Sequence, residues 1–190
     1  KDGFAFNFAE NELLDGLWFW DLEKPENEWM SEKFWNVLGY DPAEMPHSPS
    51  AWRNIINEDD LKTATDNFYK HLDDPSHPYD QYVRYRHKNG SIVWVRCKGI
   101  AVRDENGKPL RMLGTHIDFT AEKRKEEFLT KCNAMAKVGY WEVDLNTMAP
   151  LWSIMTKQIH EVDEDYIPNV TEAINFFKEG RDRMLIEALV

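Results

Sequence analysis

The sequence has few cysteines, a deficit of basic residues and no long apolar run. Its 190 residues include only Cys97 and Cys132, which are far apart and favour a reducing cytoplasm over a disulfide framework. No apolar stretch approaches the roughly 20 residues that cross a bilayer. Lysine and arginine number 23 against 34 acidic residues, a formal net charge of −11. These shortages predict a cytoplasmic protein that contacts neither nucleic acid nor a membrane.

The sequence does contain an internal repeat of domain length. Gly16-Leu-Trp18-Phe-Trp20-Asp21-Leu22 returns 123 residues later as Gly139-Tyr-Trp141-Glu-Val143-Asp144-Leu145, and Trp29 aligns with Trp152 at the same shift. A repeat of this length predicts tandem domains. The remaining matches are one residue closer and pair Ser31 with Ser153, Asp41 with Asp163, Pro46 with Pro168 and Ala51 with Ala173.

The repeat divides the chain into one whole domain and the first half of a second. We expect an N-terminal linker helix over residues 1–15, the whole domain over 16–119, a linker helix over 120–137 and the half-domain over 138–190. The chain begins at Lys1 without Met, which favours a segment excised from a longer protein.

The period of the apolar residues changes along the first domain. Apolar positions 61, 64, 68 and 72 recur at helical spacing and predict a helix over 57–72. Beyond residue 79 the period becomes two, and Asn89-Gly90 is a strong hairpin signal between strands predicted over 79–88 and 91–102. In the later strand Val93, Val95 and Cys97 share one parity, so we expect this small apolar face to lie toward the core.

Three more strands complete the predicted sheet. Two of them, over 16–22 and 28–30, precede the long helix, and one over 110–119 follows the hairpin. Ser31 and Gly39 suit the beginning and the end of a short helix between the second strand and the long helix. The sequence therefore predicts an α+β fold in which helices pack on one face of a five-stranded antiparallel sheet.

These residues give the chain a resemblance to the PAS domains, of the subtype with a C-terminal PAC motif. The resemblance covers residues 16–124 almost continuously, and the second copy resembles the same family through 139–145, Trp152-Ser153 and Ile159-His160-Glu161-Val162. The motifs of the first copy are Gly16-Leu-Trp18-x-Trp20-Asp21-Leu22, Trp35-x-x-Leu38-Gly39-Tyr40, Asn57-x-Asp59-Asp60, Tyr82-x-Arg84-x-Arg86-x-Lys88-Asn89-Gly90, Trp94-Val95, Gly114-x-x-x-Asp118-x-Thr120 and Glu122-Lys123-Arg124.

The resemblance implies a PAS fold and a sensory module that performs no chemistry itself. Such a module binds a small ligand or cofactor between helices and sheet, or mediates dimers. It relays a conformational change through a helix to an output domain, often a histidine kinase or a diguanylate cyclase. The expected partners are that output domain and a second copy of the chain, paired through the linker helix or the N-terminal helix. Two alternatives remain open, a haem- or flavin-dependent redox or gas sensor and a purely structural dimerisation module.

The candidate ligand pocket lies between the predicted helix 57–72 and the small apolar strand face. The resemblance also implies a signal exit at Asp118 and Thr120, with Thr120 capping the linker helix. On that helix Phe128, Cys132 and Met135 are spaced 4 and 3 apart and form a short seam suited to helix pairing. The residues expected to line the pocket are Trp35, Leu38, Trp52, Ile56, Phe68, Leu72, Val93, Val95 and Cys97.

No cofactor or metal follows from the sequence, and either no ligand or a small metabolite is favoured over haem and flavin. Haem-binding relatives take an axial histidine from the long helix, where this chain has His71, but a polar residue near the end of a helix explains that histidine more simply. His71 and His77 lack a third metal ligand. Neither cysteine lies in the Asn-Cys motif of the covalent flavin photosensors.

One dipeptide resembles a site of phosphoryl transfer. His160-Glu161 is similar to the phosphoacceptor of histidine kinases, but the repeat places it where the first domain has Leu38-Gly39, so we interpret it as structural. No catalytic set of residues occurs at motif spacing.

Overall fold

The computed structural model describes residues 14–188, so the helix predicted over 1–15 falls almost wholly outside the described residues. The chain divides into two units, Lys1–Arg124 and Lys125–Val190, and each is described by itself. No helix among the described residues is long and apolar enough to cross a membrane.

The first unit contains the five-stranded antiparallel sheet that the sequence predicts. The strand order is β2-β1-β5-β4-β3, so the two early strands join the three late ones through β1 and β5. The strands are β1 (Gly16–Asp21), β2 (Glu28–Met30), β3 (Tyr79–Arg86), β4 (Ile92–Arg103) and β5 (Pro109–Asp118).

The helices of this unit lie between β2 and β3 in the chain. They are α1 (Glu32–Val37), a 3-10 turn (Pro42–Glu44), α2 (Pro49–Arg53) and α3 (Glu58–Asp73). Asn57 begins α3, because its side-chain oxygen accepts hydrogen bonds from the backbone N–H groups of Asp59 and Asp60. The acidic first turn of α3 complements the positive end of the helix dipole.

Side-chain parity on β4 decides which face of the sheet meets the helices. Val93, Val95 and Cys97 are buried, whereas Ile92 and Ile100 on the opposite parity are 48% and 63% exposed. The predicted inward face is confirmed. The deepest residues of the core are Phe34, Leu38, Met112 and Val95.

The residues that flank helix α1, Ser31 and Gly39, have different roles. Gly39 ends it with φ +76°, and Tyr40 N donates to Trp35 O at 2.9 Å, the hydrogen bond of a Schellman motif. Ser31 precedes the helix, but its hydroxyl does not cap it and instead accepts from Leu17 N at 2.9 Å. Ser31 therefore fastens the start of α1 to β1.

The linker helix and the elements of the second unit follow. They are α4 (Thr120–Ala136), β6 (Trp141–Asp144), β7 (Ala149–Trp152), α5 (Ile154–Ile159), α6 (Val170–Ala173), a 3-10 turn (Ile174–Phe176) and α7 (Arg181–Glu187). β6 and β7 pair antiparallel as a two-stranded sheet.

The second unit repeats hydrogen bonds of the first. Ser153 Oγ accepts from Tyr140 N at 3.1 Å, as Ser31 Oγ accepts from Leu17 N. Val162 N donates to Lys157 O at 3.1 Å, and Glu161, with φ 57°, occupies the place of Gly39. The two copies therefore share backbone geometry as well as sequence.

The strand register corrects one alignment made from the sequence. Trp18 pairs with Met30 in the first unit, and Trp141 pairs with Trp152 in the second. Trp152 therefore takes the place of Met30, and the alignment of Trp29 with Trp152 is wrong. A shift of one residue along a strand moves a side chain to the opposite face, and Trp29 is 39% exposed while Met30 is buried.

Replacing Phe68 with Ala should destabilise the first unit. Phe68 is 8% exposed, and truncation of a buried Phe costs about 3–5 kcal/mol. Urea denaturation followed by tryptophan fluorescence measures the change. The exposed Lys70 of the same helix provides a control, since Lys70→Ala should change the free energy of unfolding by less than about 0.5 kcal/mol. Equal effects of the two substitutions would place Phe68 outside the packed core.

Candidate functional site

A cavity of about 90 Å³ lies in the first unit between α3 and the inner face of the sheet. It has room for several water molecules or a small organic molecule. Residues from α2, α3 and all five strands line it. They are Trp18, Trp20, Glu28, Met30, Trp52, Arg53, Ile56, Leu61, Ala64, Thr65, Phe68, Tyr69, Tyr79, Gln81, Val83, Tyr85, Cys97 and His116.

An ion pair fixes α3 over the sheet. Asp60, in the first turn of α3, accepts from the backbone N–H of Arg84 on β3 at 2.7 Å and from its guanidinium at 2.6 Å. These hydrogen bonds hold the pKa of Asp60 below its ordinary value. Because both pairs join the same two residues, the start of α3 has a defined position above β3.

The structure brings together four of the nine residues expected to line the pocket, which are Trp52, Ile56, Phe68 and Cys97. The other five lie in or against the packed core, where Trp35, Leu38, Val93 and Val95 are buried and Leu72 is partly buried. The cavity extends instead over β1 and β2, because β1 occupies an inner position of the sheet beside β5.

Three buried polar atoms of the cavity lining have no hydrogen-bond partner within the protein. They are Trp18 Nε1, Gln81 Nε2 and His116 Nδ1. Trp18 and His116 are 5% and 3% exposed. Buried polar groups are nearly always paired, and an unpaired group costs about 1–3 kcal/mol. A cavity with three such atoms is suited to a polar guest.

Glu28 gives the cavity a carboxyl group. It is 6% exposed on β2, and its Oε2 accepts from Trp52 Nε1 at 2.7 Å. Burial raises its pKa from 4.5 to about 7, against the opposing effects of the Trp52 hydrogen bond and of Arg53. Glu28 is not among the residues predicted to line the pocket, although strand alternation places it on the same inward face as Met30.

Burial keeps the side chains of Cys97, Tyr79, Tyr85 and His116 neutral near pH 7. It raises the pKa of Cys97 to about 12, raises the pKa values of Tyr79 and Tyr85 well above their ordinary value, and lowers the pKa of His116 to about 3. The Cys97 thiol is therefore not a nucleophile. Among these shifted groups Glu28 alone titrates near neutral pH.

His71 is engaged on both ring nitrogens. Its Nε2 accepts from Ala101 N at 3.0 Å, which leaves Nδ1 to donate to His77 O at 2.5 Å. An axial bond from His71 to haem iron would break one of these contacts. The imidazole of His71 instead joins α3 to β4 and to the loop before β3.

The volume of the cavity and the positions of the cysteines limit which cofactors the first unit can bind. Pockets for drug-sized ligands are about 300–1,000 Å³, so a flavin or a haem would require this cavity to widen. Cys97 is buried on β4 and Cys132 lies on α4. The described residues contain no cluster of three potential metal ligands.

The start of α4 is joined to β4 by two hydrogen bonds with the backbone of Trp94. Trp94 N donates to Thr120 Oγ1 at 2.9 Å, and Phe119 N donates to Trp94 O at 2.8 Å. The first N–H of the helix, that of Thr120, donates to Asp118 Oδ1 at 2.8 Å. The expectation that Thr120 caps the helix is therefore corrected, because Asp118 supplies the cap and the Thr120 hydroxyl binds β4.

The remaining predicted residues lie on α4 and in the second unit. On α4 Phe128 and Met135 are 65% and 87% exposed, and Cys132 is half-buried. His160 packs against Trp152 and Phe176, with ring centroids 4.8 and 4.9 Å away. Since His160 and Glu161 form the end of α5, the structure places them in the turn that matches Leu38-Gly39.

Comparison with known proteins identifies the first domain. A family model described as the PAS fold matches residues 27–116. Residues 27–116 therefore form a PAS domain. A sensory box histidine kinase/response regulator of Burkholderia thailandensis E264 has a similar structure, with a TM-score of 0.59 and 27% identity over 70% of this chain and 98% of that one. PAS domains are sensory rather than catalytic modules.

Two further similarities place the PAS domain in context. The PAS domain of a protein from Colwellia psychrerythraea has a similar structure, with a TM-score of 0.50 and 16% identity over 64% of this chain and 99% of that one, which shows the fold alone. The probable diguanylate cyclase DgcE of Escherichia coli (strain K12) is 24% identical over 153 residues. That match covers 76% of this chain but 14% of the length of DgcE.

Glu28 should make the stability of the PAS domain depend on pH. The folded state holds the Glu28 proton more tightly than the unfolded state, so this carboxyl destabilises the fold progressively as pH rises from about 4.5 to about 7. Glu28→Gln removes the titration. Relative to the wild type, its free energy of unfolding should rise by up to about 3 kcal/mol across this interval.

Chemical denaturation at a series of pH values measures this difference. The lowered pKa of His116 acts in the opposite direction between about 3 and 6.5, but it is common to both proteins and cancels. Glu26→Gln makes the same chemical change at an exposed site. A difference between Glu28→Gln and the wild type that does not vary with pH would contradict the burial of an ionisable Glu28.

Proposed function

We propose that this chain is the sensory segment of a signalling protein and that its PAS domain binds a small molecule in the cavity between α3 and the sheet. Binding changes the contacts of β4, and α4 relays the change to an output domain. The single observation that supports ligand binding most strongly is the group of three unpaired polar atoms around one cavity. A guest that accepts hydrogen bonds from them satisfies polar groups that the protein itself leaves unpaired.

The contacts at the start of α4 support the relay. Cys97 borders the cavity on β4, and Trp94, three residues away on the same strand, holds Phe119 and Thr120 through its backbone groups. A displacement of β4 by the ligand therefore acts directly on the first turn of the linker helix. Asp118 and Thr120 are the proposed exit residues, and Phe128, Cys132 and Met135 the proposed pairing seam.

The relatives support a diguanylate cyclase or a histidine kinase as the output domain. The repeated hydrogen bonds around Ser153 and Glu161 support a second PAS domain that begins after α4. In this proposal residues 16–119 form the sensor, 120–137 the linker and 138–190 the first half of the next PAS domain.

A second candidate function is dimerisation without a ligand. The outer face of the sheet exposes Trp29, Ile100 and Leu113 at 39%, 63% and 43%. An apolar sheet face of this kind suits contact with a second copy of the chain. Sedimentation of the wild type and of Ile100→Lys distinguishes the two functions, because a structural dimer would dissociate in the variant whether or not the cavity is occupied.

The phase of α4 should control the output of the parent protein. Each residue turns a helix by about 100°, so two residues inserted between Lys125 and Phe128 rotate the following domains by roughly 200°. Seven inserted residues make nearly two full turns and almost restore the phase. We expect output, measured as cyclase or kinase activity with and without stimulus, to be lost or locked by two residues and to stay regulated with seven. Regulation that survives both insertions would show that α4 is a passive tether.

A further inference from the structure

A chain of hydrogen bonds leads from the loop before β3 to the cavity. His77 Nε2 lies 2.5 Å from Asn67 Oδ1, and Asn67 Nδ2 donates to Gln81 Oε1 at 2.5 Å. Asn67 is on α3, Gln81 is on β3, and only Gln81 borders the cavity. These hydrogen bonds therefore connect the half-buried His77 to the ligand site through two side-chain amides.

Each hydrogen bond in this series has a defined donor and acceptor. Asn67 Nδ2 donates to Gln81, so Asn67 Oδ1 faces His77 and accepts from it. Because the Gln81 oxygen already accepts from Asn67, the Gln81 amide nitrogen is left for the cavity. Tyr79 lies beside this amide, yet no acceptor meets Gln81 Nε2 with hydrogen-bond geometry.

A second donor of fixed polarity faces the same cavity. Indole nitrogen donates and never accepts, and Trp18 Nε1 is buried beside the Cys97 thiol with no acceptor at hydrogen-bond geometry. The cavity thus offers two unpaired N–H donors, on β1 and on β3. Its one carboxylate, Glu28, already accepts from Trp52 at 2.7 Å. His116 Nδ1 is a donor or an acceptor according to its tautomer, so it adapts to the guest.

We infer that the cavity selects a small uncharged molecule with an acceptor oxygen, such as a carbonyl or an ether, and that Asn67 and His77 are positioning residues that set this preference through Gln81. The inference rests on the proposed function, since it assumes that the cavity binds a ligand. An ammonium group would leave both donors unpaired. An anion would have to enter beside Glu28, which already interacts with the positive charge of Arg53.

Two five-membered rings of similar size and opposite polarity test this preference. Tetrahydrofuran offers only an acceptor oxygen and pyrrole only a donor N–H, and cyclopentane serves as the apolar reference. Dissociation constants come from NMR titration of the whole chain at a pH below 7, where Glu28 is mostly protonated. We expect the wild type to bind tetrahydrofuran about three- to tenfold more tightly than pyrrole, the ratio for one net hydrogen bond.

Asn67→Asp should reverse the ratio. A carboxylate at this position accepts from His77 and also from the Gln81 amide, which must then turn its carbonyl oxygen toward the cavity. Pyrrole should now bind more tightly than tetrahydrofuran. Asn89→Asp makes the same substitution in the exposed turn between β3 and β4 and should leave the wild-type ratio unchanged.

Gln81→Glu provides a second route to the same result, because one of its oxygens accepts from Asn67 and the other faces the cavity. If Asn67→Asp does not fold, Gln81→Glu tests the inferred ligand preference in its place. Binding of the rings with one unchanged ratio in the wild type and the variants would overturn the inference and leave the proposed function intact. If none of the three rings binds the folded wild type, the ligand-binding function falls, and this inference with it.

Discussion

The position of the Trp18 indole is the constraint on which the site depends. Its ring lies over the point where β4 and β5 pair Gly99 with Gly114. A Cβ atom at Gly99 would lie 2.7 Å from the ring, and one at Gly114 would overlap the ring and the carbonyl oxygen of Lys98. Two paired glycines therefore leave the space that the indole fills, and the indole in turn gives the cavity one wall and one unpaired N–H donor.

The two copies of the repeat show which parts of this fold tolerate sequence change. The hydrogen bonds of Ser31 recur at Ser153, where the same side chain joins the first strand to the first helix. The turn after that helix keeps its left-handed residue although Gly39 becomes Glu161. Trp152 replaces Met30, so packing differs while the backbone frame persists. Between the two copies, the hydrogen bonds made by the backbone are thus retained where the buried side chains differ.

The sequence predicted the sheet well because its signals are local. Parity placed Val93, Val95 and Cys97 on the inner face, and Asn89-Gly90 marked the hairpin. The cavity was predicted less well because its position depends on strand order, which no local pattern specifies. β1 and β2 bring Trp18 and Glu28 to the site, whereas Trp35 and Leu38 pack within the core and do not border the cavity. Likewise the role of the Thr120 hydroxyl depends on Trp94, 26 residues earlier.

The cavity and the start of α4 share one strand, β4. This strand borders the cavity through Cys97 and holds the first turn of α4 through Trp94. A ligand shifts a conformational equilibrium only by its difference in affinity for the two states. Unpaired donors supply such a difference, because a guest that pairs them favours whichever position of β1 and β3 brings them into range, and β3 is paired with β4. The same polar atoms that the protein leaves unpaired therefore give the ligand its influence on the strand that holds the helix.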